Sequence, residues 1–125
     1  MIIKEATIKY YNPILEKSFN FAVRIIRFYK IKSPVYYNLN PLFKQLLRSG
    51  TSIGANVSEA QSAFTKKDFI NKLGISLKES RETEYWLRLL KESAVISEKE
   101  FQSLFVDCEE LSKLLTSIIK SSKEK

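Results

Sequence analysis

Between residues 43 and 64 the apolar positions step by threes and fours through Phe43, Leu46, Gly50, Ile53, Val57, Ala60 and Phe64. Residues at those intervals stack on one helix face, so the run predicts the seam of a bundle helix. Beside it a second stripe, Leu42, Gln45, Ser49, Ser52, Asn56, Glu59 and Ala63, consists mostly of small or hydrogen-bonding residues. Gly and Ser inside a helix each cost roughly 0.5–1 kcal/mol relative to Ala. Several together predict that a close backbone approach or a polar contact offsets the cost. A shorter helix broken near Ser49-Gly50 is the competing reading.

The same periodicity yields three further helices. Asn12-Pro13 supplies a cap acceptor and a proline at the first helical position, opening a helix to about Ile31. It carries two apolar stripes: Leu15, Phe19, Ala22, Ile26 and Tyr29 on one, Ile14, Phe21, Ile25 and Phe28 on the other. One should enter the core, and the other should face a third helix or another subunit. Ser33 to Leu39 shows no period and contains Pro34, which predicts a loop; Asn40-Pro41 then repeats the cap signal.

Thr65-Lys66-Lys67-Asp68 resembles a capping box and opens a third helix, with seam Phe69, Leu73, Ser76, Ser80, Thr83, Leu87, Leu90 and Ala94. A neighbouring stripe, Ile75, Glu79, Glu82, Trp86 and Leu89, sets two carboxylates among apolar residues, where Arg48, Ser52 or Asn56 could meet them across a helix pair. Ser97-Glu98-Lys99-Glu100 is a capping box for a fourth helix, seamed by Phe101, Leu104, Cys108, Leu111, Leu115 and Ile118. The tail from Lys120 should fray. The prediction is a single domain, 1–125, folded as an all-α, antiparallel up-down-up-down four-helix bundle with helices at about 13–31, 41–62, 66–94 and 98–120.

Charge changes this picture. The net charge is +7, and residues 1–64 hold nine Lys and Arg against three acids, whereas residues 65–125 hold twelve against eleven. The positive field thus belongs to the first half and could attract nucleic acid, an anionic membrane or an acidic protein. Chemistry narrows it further. With no histidine and one cysteine, the commonest general base, the commonest metal ligand and any thiolate zinc site are missing. Glu59, Glu79, Glu82 and Glu84 offer oxygen ligands for Mg²⁺, but pairing with Arg or Lys is the expected role. Cys108 sits in an apolar seam as a core residue. No catalytic residue, metal or cofactor is expected. Met1-Ile2-Ile3-Lys4-Glu5 does not read as a signal peptide and no apolar run reaches membrane-span length, so a cytoplasmic location without membrane contact is expected.

The block Leu46-Leu47-Arg48-Ser49-Gly50-Thr51-Ser52-Ile53-Gly54-Ala55-Asn56-Val57-Ser58-Glu59-Ala60, followed by Lys67-Asp68-Phe69-Ile70 and Lys78-Glu79-Ser80-Arg81-Glu82-Thr83-Glu84-Tyr85-Trp86-Leu87, resembles in order and spacing the bacterial four-helix-bundle family of 23S ribosomal-RNA intervening-sequence proteins. Members of that family are similar in fold to the accessory variability protein of diversity-generating retroelements, a basic pentameric barrel that binds nucleic acid and a reverse transcriptase. The resemblance implies a homopentamer, a cytoplasmic location and an RNA- or DNA-binding role. The chain departs from many relatives in having Glu59-Ala60-Gln61 with no basic residue before Lys66, where they carry Ala-Glu-Gly and Gly-Arg. It also has Gly54 where they often have proline.

The sequence therefore reads as a non-enzymatic homo-oligomeric bundle that binds structured RNA or DNA through phosphate contacts from Lys17, Arg24, Arg27, Lys30, Lys44, Arg48, Lys66 and Lys67. Arg48, Ser52, Asn56, Glu59, Glu79, Glu82 and Trp86 are assigned to the motif and to helix packing. The alternative is a structural or adaptor protein assembling with a protein partner, without nucleic acid, anchored by Tyr36, Tyr37 and Trp86.

Overall fold

The computed structural model describes residues 5–124, with side chains from Pro13 onward. Met1 to Lys4, most of the segment read for a leader, and Lys125, the end of the tail, lie outside the described residues. The fold is all-α, and no strand occurs among the described residues. Its helices are α1 (Glu5–Lys32), α2 (Asn40–Ala60), α3 (Lys66–Glu92) and α4 (Glu98–Lys123), with a short 3₁₀ turn at Tyr37–Leu39 before α2.

Two cap readings differ from the outcome. Helix α1 begins at Glu5, leaving Pro13 in its interior. The proline ring fixes a helical φ in either setting and forgoes one N–H bond, so an Asn-Pro pair does not distinguish a start from an interior. At α2, Asn40 is the first helical residue and makes no cap bond; its side-chain oxygen accepts from the Tyr29 hydroxyl at 3.1 Å. The other two caps form: the Thr65 hydroxyl accepts from the Asp68 N–H at 3.0 Å, and Ser97 and Glu100 close both halves of their box.

Helix ends shift as well. Helix α2 stops at Ala60, which leaves Phe64 in the following turn 91% exposed, outside the seam predicted for it. Helix α3 stops at Glu92 because Ala94 takes a left-handed φ of 58°. There the Ala94 N–H returns to Lys91 O at 3.0 Å and the Val95 N–H to Leu90 O at 2.9 Å, the hydrogen-bond pattern of a Schellman stop. Ala94 thereby turns outward, while Val95 and Ile96 close the end of the core. Helix α4 continues through Lys120 to Lys123 instead of fraying.

Each helix buries one stripe. From α1 these are Ile14, Phe21 and Ile25, with Ser18 in step between them. From α2 come Phe43, Leu46, Gly50, Ile53, Val57 and Ala60, joined by Ser49; from α3 and α4 come the predicted seams, without Ala94 and with Ser112 and Ser122 added. Contacts join α1 to α2, α2 to α3, α3 to α4 and α4 back to α1, the last pair being the sparsest. Along α1 and α4, Lys17 meets Glu110, Arg24 meets Asp107 and Lys32 meets Glu100. Along α2 and α3, Arg48 meets Glu82 and Glu59 meets Lys72. Numbers fall on one helix as they rise on the other, as between antiparallel neighbours.

The close backbone approach predicted for α2 occurs, and its partner is α1. A Cβ on Gly50 would stand 2.9 Å from Ile25 Cγ1, and one on Gly54 would stand 3.1 Å from the Ser18 carbonyl oxygen. Glycine is what lets the two helices meet there.

Candidate functional site

The motif residues build a polar seam between α2 and α3. Arg48 donates to Glu79 Oε2 at 3.0 Å, to Glu82 Oε2, and to Gln45 Oε1 at 3.2 Å. Trp86 Nε1 donates to the same Glu82 oxygen at 2.9 Å. The Trp86 bond, and then the Arg48 guanidinium, hold the Glu82 carboxyl below its ordinary pKa against the opposing effect of burial. Desolvation works against the Arg48 charge, but its bonds to Glu82 and Glu79 outweigh it and keep its pKa above the usual value.

Beneath this surface network lies a buried hydroxyl ladder. Thr83 Oγ1 donates to Ser49 Oγ at 2.9 Å and approaches Glu79 O at 2.8 Å, and Ser76 Oγ donates to Ile53 O at 2.8 Å. The small residues of α2 and α3 thus face each other as expected. Two assigned residues nevertheless turn away from the pair, and Glu59 joins it at another point than the Arg48 cluster. Ser52 donates to Arg48 O at 2.6 Å, and Asn56 donates to Ser52 O at 2.8 Å, both within α2. Glu59 pairs with Lys72 at 3.1 Å rather than with the Arg48 cluster. Short polar side chains within a helix reach the carbonyl one turn back more easily than a neighbour across the groove.

On its other side α3 meets α4 through Ser80 and Ser112, whose hydroxyl oxygens lie 2.5 Å apart, and Ser112 donates to Glu84 Oε2 at 2.6 Å. Cys108 is buried beside them, and burial pushes its thiol up to about 12, so it stays a neutral core group. Arg81 lies 3.4 Å from Glu84. All four glutamates weighed as magnesium ligands therefore have a cationic partner.

The eight basic residues proposed for phosphate contact divide into two sets. Lys17 is bonded to Glu110 at 3.1 Å, Arg24 to Asp107 at 2.5 Å, and Arg48 to Glu79 and Glu82. Their charge is locally compensated. Arg27, Lys30, Lys44, Lys66 and Lys67 are exposed and make no ion pair among the described residues. Arg88, Lys99, Lys120 and Lys123, which the sequence reading did not select, share that condition. Counting by halves hid them, because the acids of the second half serve largely as helix-to-helix partners instead of screening nearby lysines. Lys66, Lys67 and Lys123 line one concave patch with Ile70 and Asn71, where the start of α3 meets the end of α4.

The second apolar stripe of α1 is open only at its middle, since Leu15 and Tyr29 pack against the core. Phe19 is 68% and Ile26 44% exposed. Leu15, Phe19 and Ala22 form one wall of a groove of about 640 Å³ whose other wall is Thr51, Gly54, Ala55 and Ser58 of α2. Of the three aromatics considered as partner anchors, Tyr36 stacks on Phe43 at 6.3 Å between ring centroids and Trp86 is tied to Glu82. Tyr37 alone of these is largely exposed.

An ion-pair seam and hydroxyl ladder inside an all-α bundle, with unpaired cations outside it, define a helical-bundle protein in which part of the motif joins α2 to α3. Among the described residues no helix is long and apolar enough to cross a membrane. The chain belongs to the 23S rRNA-intervening sequence protein family, whose model matches residues 12–117. It is similar to the crystal structure, at 1.70 Å resolution, of a protein of unknown function from the S23 ribosomal protein family of Bacteroides thetaiotaomicron VPI-5482. The two share 48% identity and a TM-score of 0.81 over 89% of this chain and 98% of that one. No curated protein matches the chain.

Proposed function

We propose that this is a non-enzymatic, cytoplasmic, homo-oligomeric bundle, assembled as a pentamer, that binds structured RNA or DNA through phosphate contacts. The observation that carries the reading is the imbalance among unpaired charges. Arg27, Lys30, Lys44, Lys66, Lys67, Arg88, Lys99, Lys120 and Lys123 make no ion pair, whereas among the acids only Glu16, Asp68, Glu92 and Glu124 make none among the described residues. Such an excess attracts a polyanion at long range and binds it by releasing counterions. Lys17, Arg24 and Arg48 leave the phosphate-contact set, because contact would require breaking a made ion pair. The open stripe around Phe19 and Ile26 supports the oligomer, since an uncovered apolar row of this kind marks an association surface.

Titration of a ribosomal-RNA fragment at several salt concentrations tests the binding. Affinity should fall by at least about a hundredfold between roughly 50 and 200 mM salt. An affinity that stays flat would exclude phosphate-driven binding.

A further inference from the structure

The sparsest seam of the bundle, between α1 and α4, holds an open cleft of about 400 Å³. Phe28 and the buried Leu104 supply its apolar wall, and Arg27 and Lys99 stand at it as exposed cations. The carboxylates nearby are already engaged. Glu100 takes Lys32 at 2.7 Å and accepts from the Ser97 N–H at 3.0 Å. Glu98 takes Lys91 at 3.1 Å, and Asp107 takes Arg24 at 2.5 Å. Arg24 is held further by Ser103, donating to its carbonyl at 3.0 Å and its hydroxyl at 2.7 Å. With those acids occupied, Arg27 and Lys99 are left as uncompensated charges beside an apolar recess. The complementary ligand has a flat apolar body with anionic groups on its flanks. Within a polyanion that description fits one unit, a nucleotide whose base has left its stack.

We infer that the α1–α4 cleft receives an unpaired base of the bound strand, packed against Phe28 and Leu104, with the adjoining phosphates on Arg27 and Lys99. The inference rests on the nucleic-acid reading above and deepens it. Aromatic faces accept any base, so the cleft selects for single-stranded character rather than for sequence. The patch of Lys66, Lys67 and Lys123 has no aromatic wall and supplies phosphate contact alone, which is indifferent to strandedness.

The full chain is titrated at fixed low salt with a short single-stranded RNA carrying a fluorescent adenine analogue, and with the duplex of the same sequence. The single strand should bind about tenfold more tightly, with analogue emission rising as its base leaves its neighbours. Substituting Phe28→Leu, which keeps an apolar side chain but removes the ring, should abolish most of that preference and the emission change, and circular dichroism checks that the fold survives. Lys66→Ser with Lys67→Ser should weaken both ligands alike and keep the preference. Equal affinity for the two ligands with unchanged emission would overturn the cleft inference while leaving nucleic-acid binding in place. Absence of binding to either would overturn the functional reading, and the cleft with it.

Discussion

Helix α2 has two working flanks, and they solve the problem of close packing in opposite ways. Toward α3 it is polar and satisfied: Ser49 meets Thr83, Ile53 O accepts from Ser76, and Arg48 is bound by Glu79 and Glu82. Toward α1 it is bare, with Gly50 and Gly54 set against Ile25 and Ser18, and beside that contact lies an apolar groove. Hydrogen bonds fix which residues must face each other, because a buried hydroxyl without a partner costs about 1–3 kcal/mol. Glycines only permit approach, and what they leave beside them is open apolar surface. The α3 flank therefore specifies the bundle, and the α1 flank leaves apolar surface open.

The largest expected effect comes from filling the close contact. Gly50→Ala puts a methyl against the buried Ile25 side chain. Overpacking should outweigh the gain in helix propensity and lower stability by about 1–2 kcal/mol, read by urea denaturation. Gly54→Ala should destabilise as well, because the atoms it would meet, 3.1 Å and 3.2 Å away, are the Ser18 carbonyl group of the α1 backbone, which cannot turn aside as a side chain can. An unchanged or raised stability would show that the two helices can separate at that point.

On the other flank, Arg48→Ala should lower stability at neutral pH by about 1 kcal/mol, toward the upper end for a half-exposed ion pair, since two carboxylates lose their cation. The sign with pH follows from Glu82, whose folded pKa is depressed. Its contribution is present above the ordinary glutamate range and is lost as the pH falls through the lower folded value. The difference between parent and variant should therefore shrink on acidification. A difference that grew instead would mean that Arg48 acts through packing rather than charge.

The smallest effect lies where neither flank operates. Gly74 in α3 has nothing within 4 Å of the position a Cβ would take, so Gly74→Ala should stabilise by about 0.5–1 kcal/mol. Destabilisation would reveal a contact at that position that the isolated chain lacks.

The four buried stripes were legible in the sequence because a three-and-four spacing survives any detail of packing, and the Arg48 pairing with Glu79 and Glu82 followed from charge embedded in such a stripe. Helix ends were less legible. Asn12-Pro13 reads as a start although α1 begins earlier, and nothing in Ala94 announces a left-handed residue that tucks Val95 and Ile96 into the core. That the glycines of α2 approach α1 was also hidden, whereas the pairing of its small stripe with α3 was not. Glycine promises proximity without direction, and the direction comes from Ile25 and Ser18 on another helix. The basic set was half legible for a related reason: a lysine's sequence neighbours do not reveal whether a carboxylate from α4 will reach it, as Glu110 reaches Lys17.

The contrast between the two flanks is tested most directly by molar mass. Light scattering at micromolar concentration should find the chain as a homo-oligomer of uniform mass. Replacing the exposed Phe19 and Ile26 together by serine should convert it to a monomer of 14.5 kDa in the parent chain's terms, with helical content unchanged. A parent protein that is already monomeric would contradict the account, as would an oligomer that survives loss of both side chains.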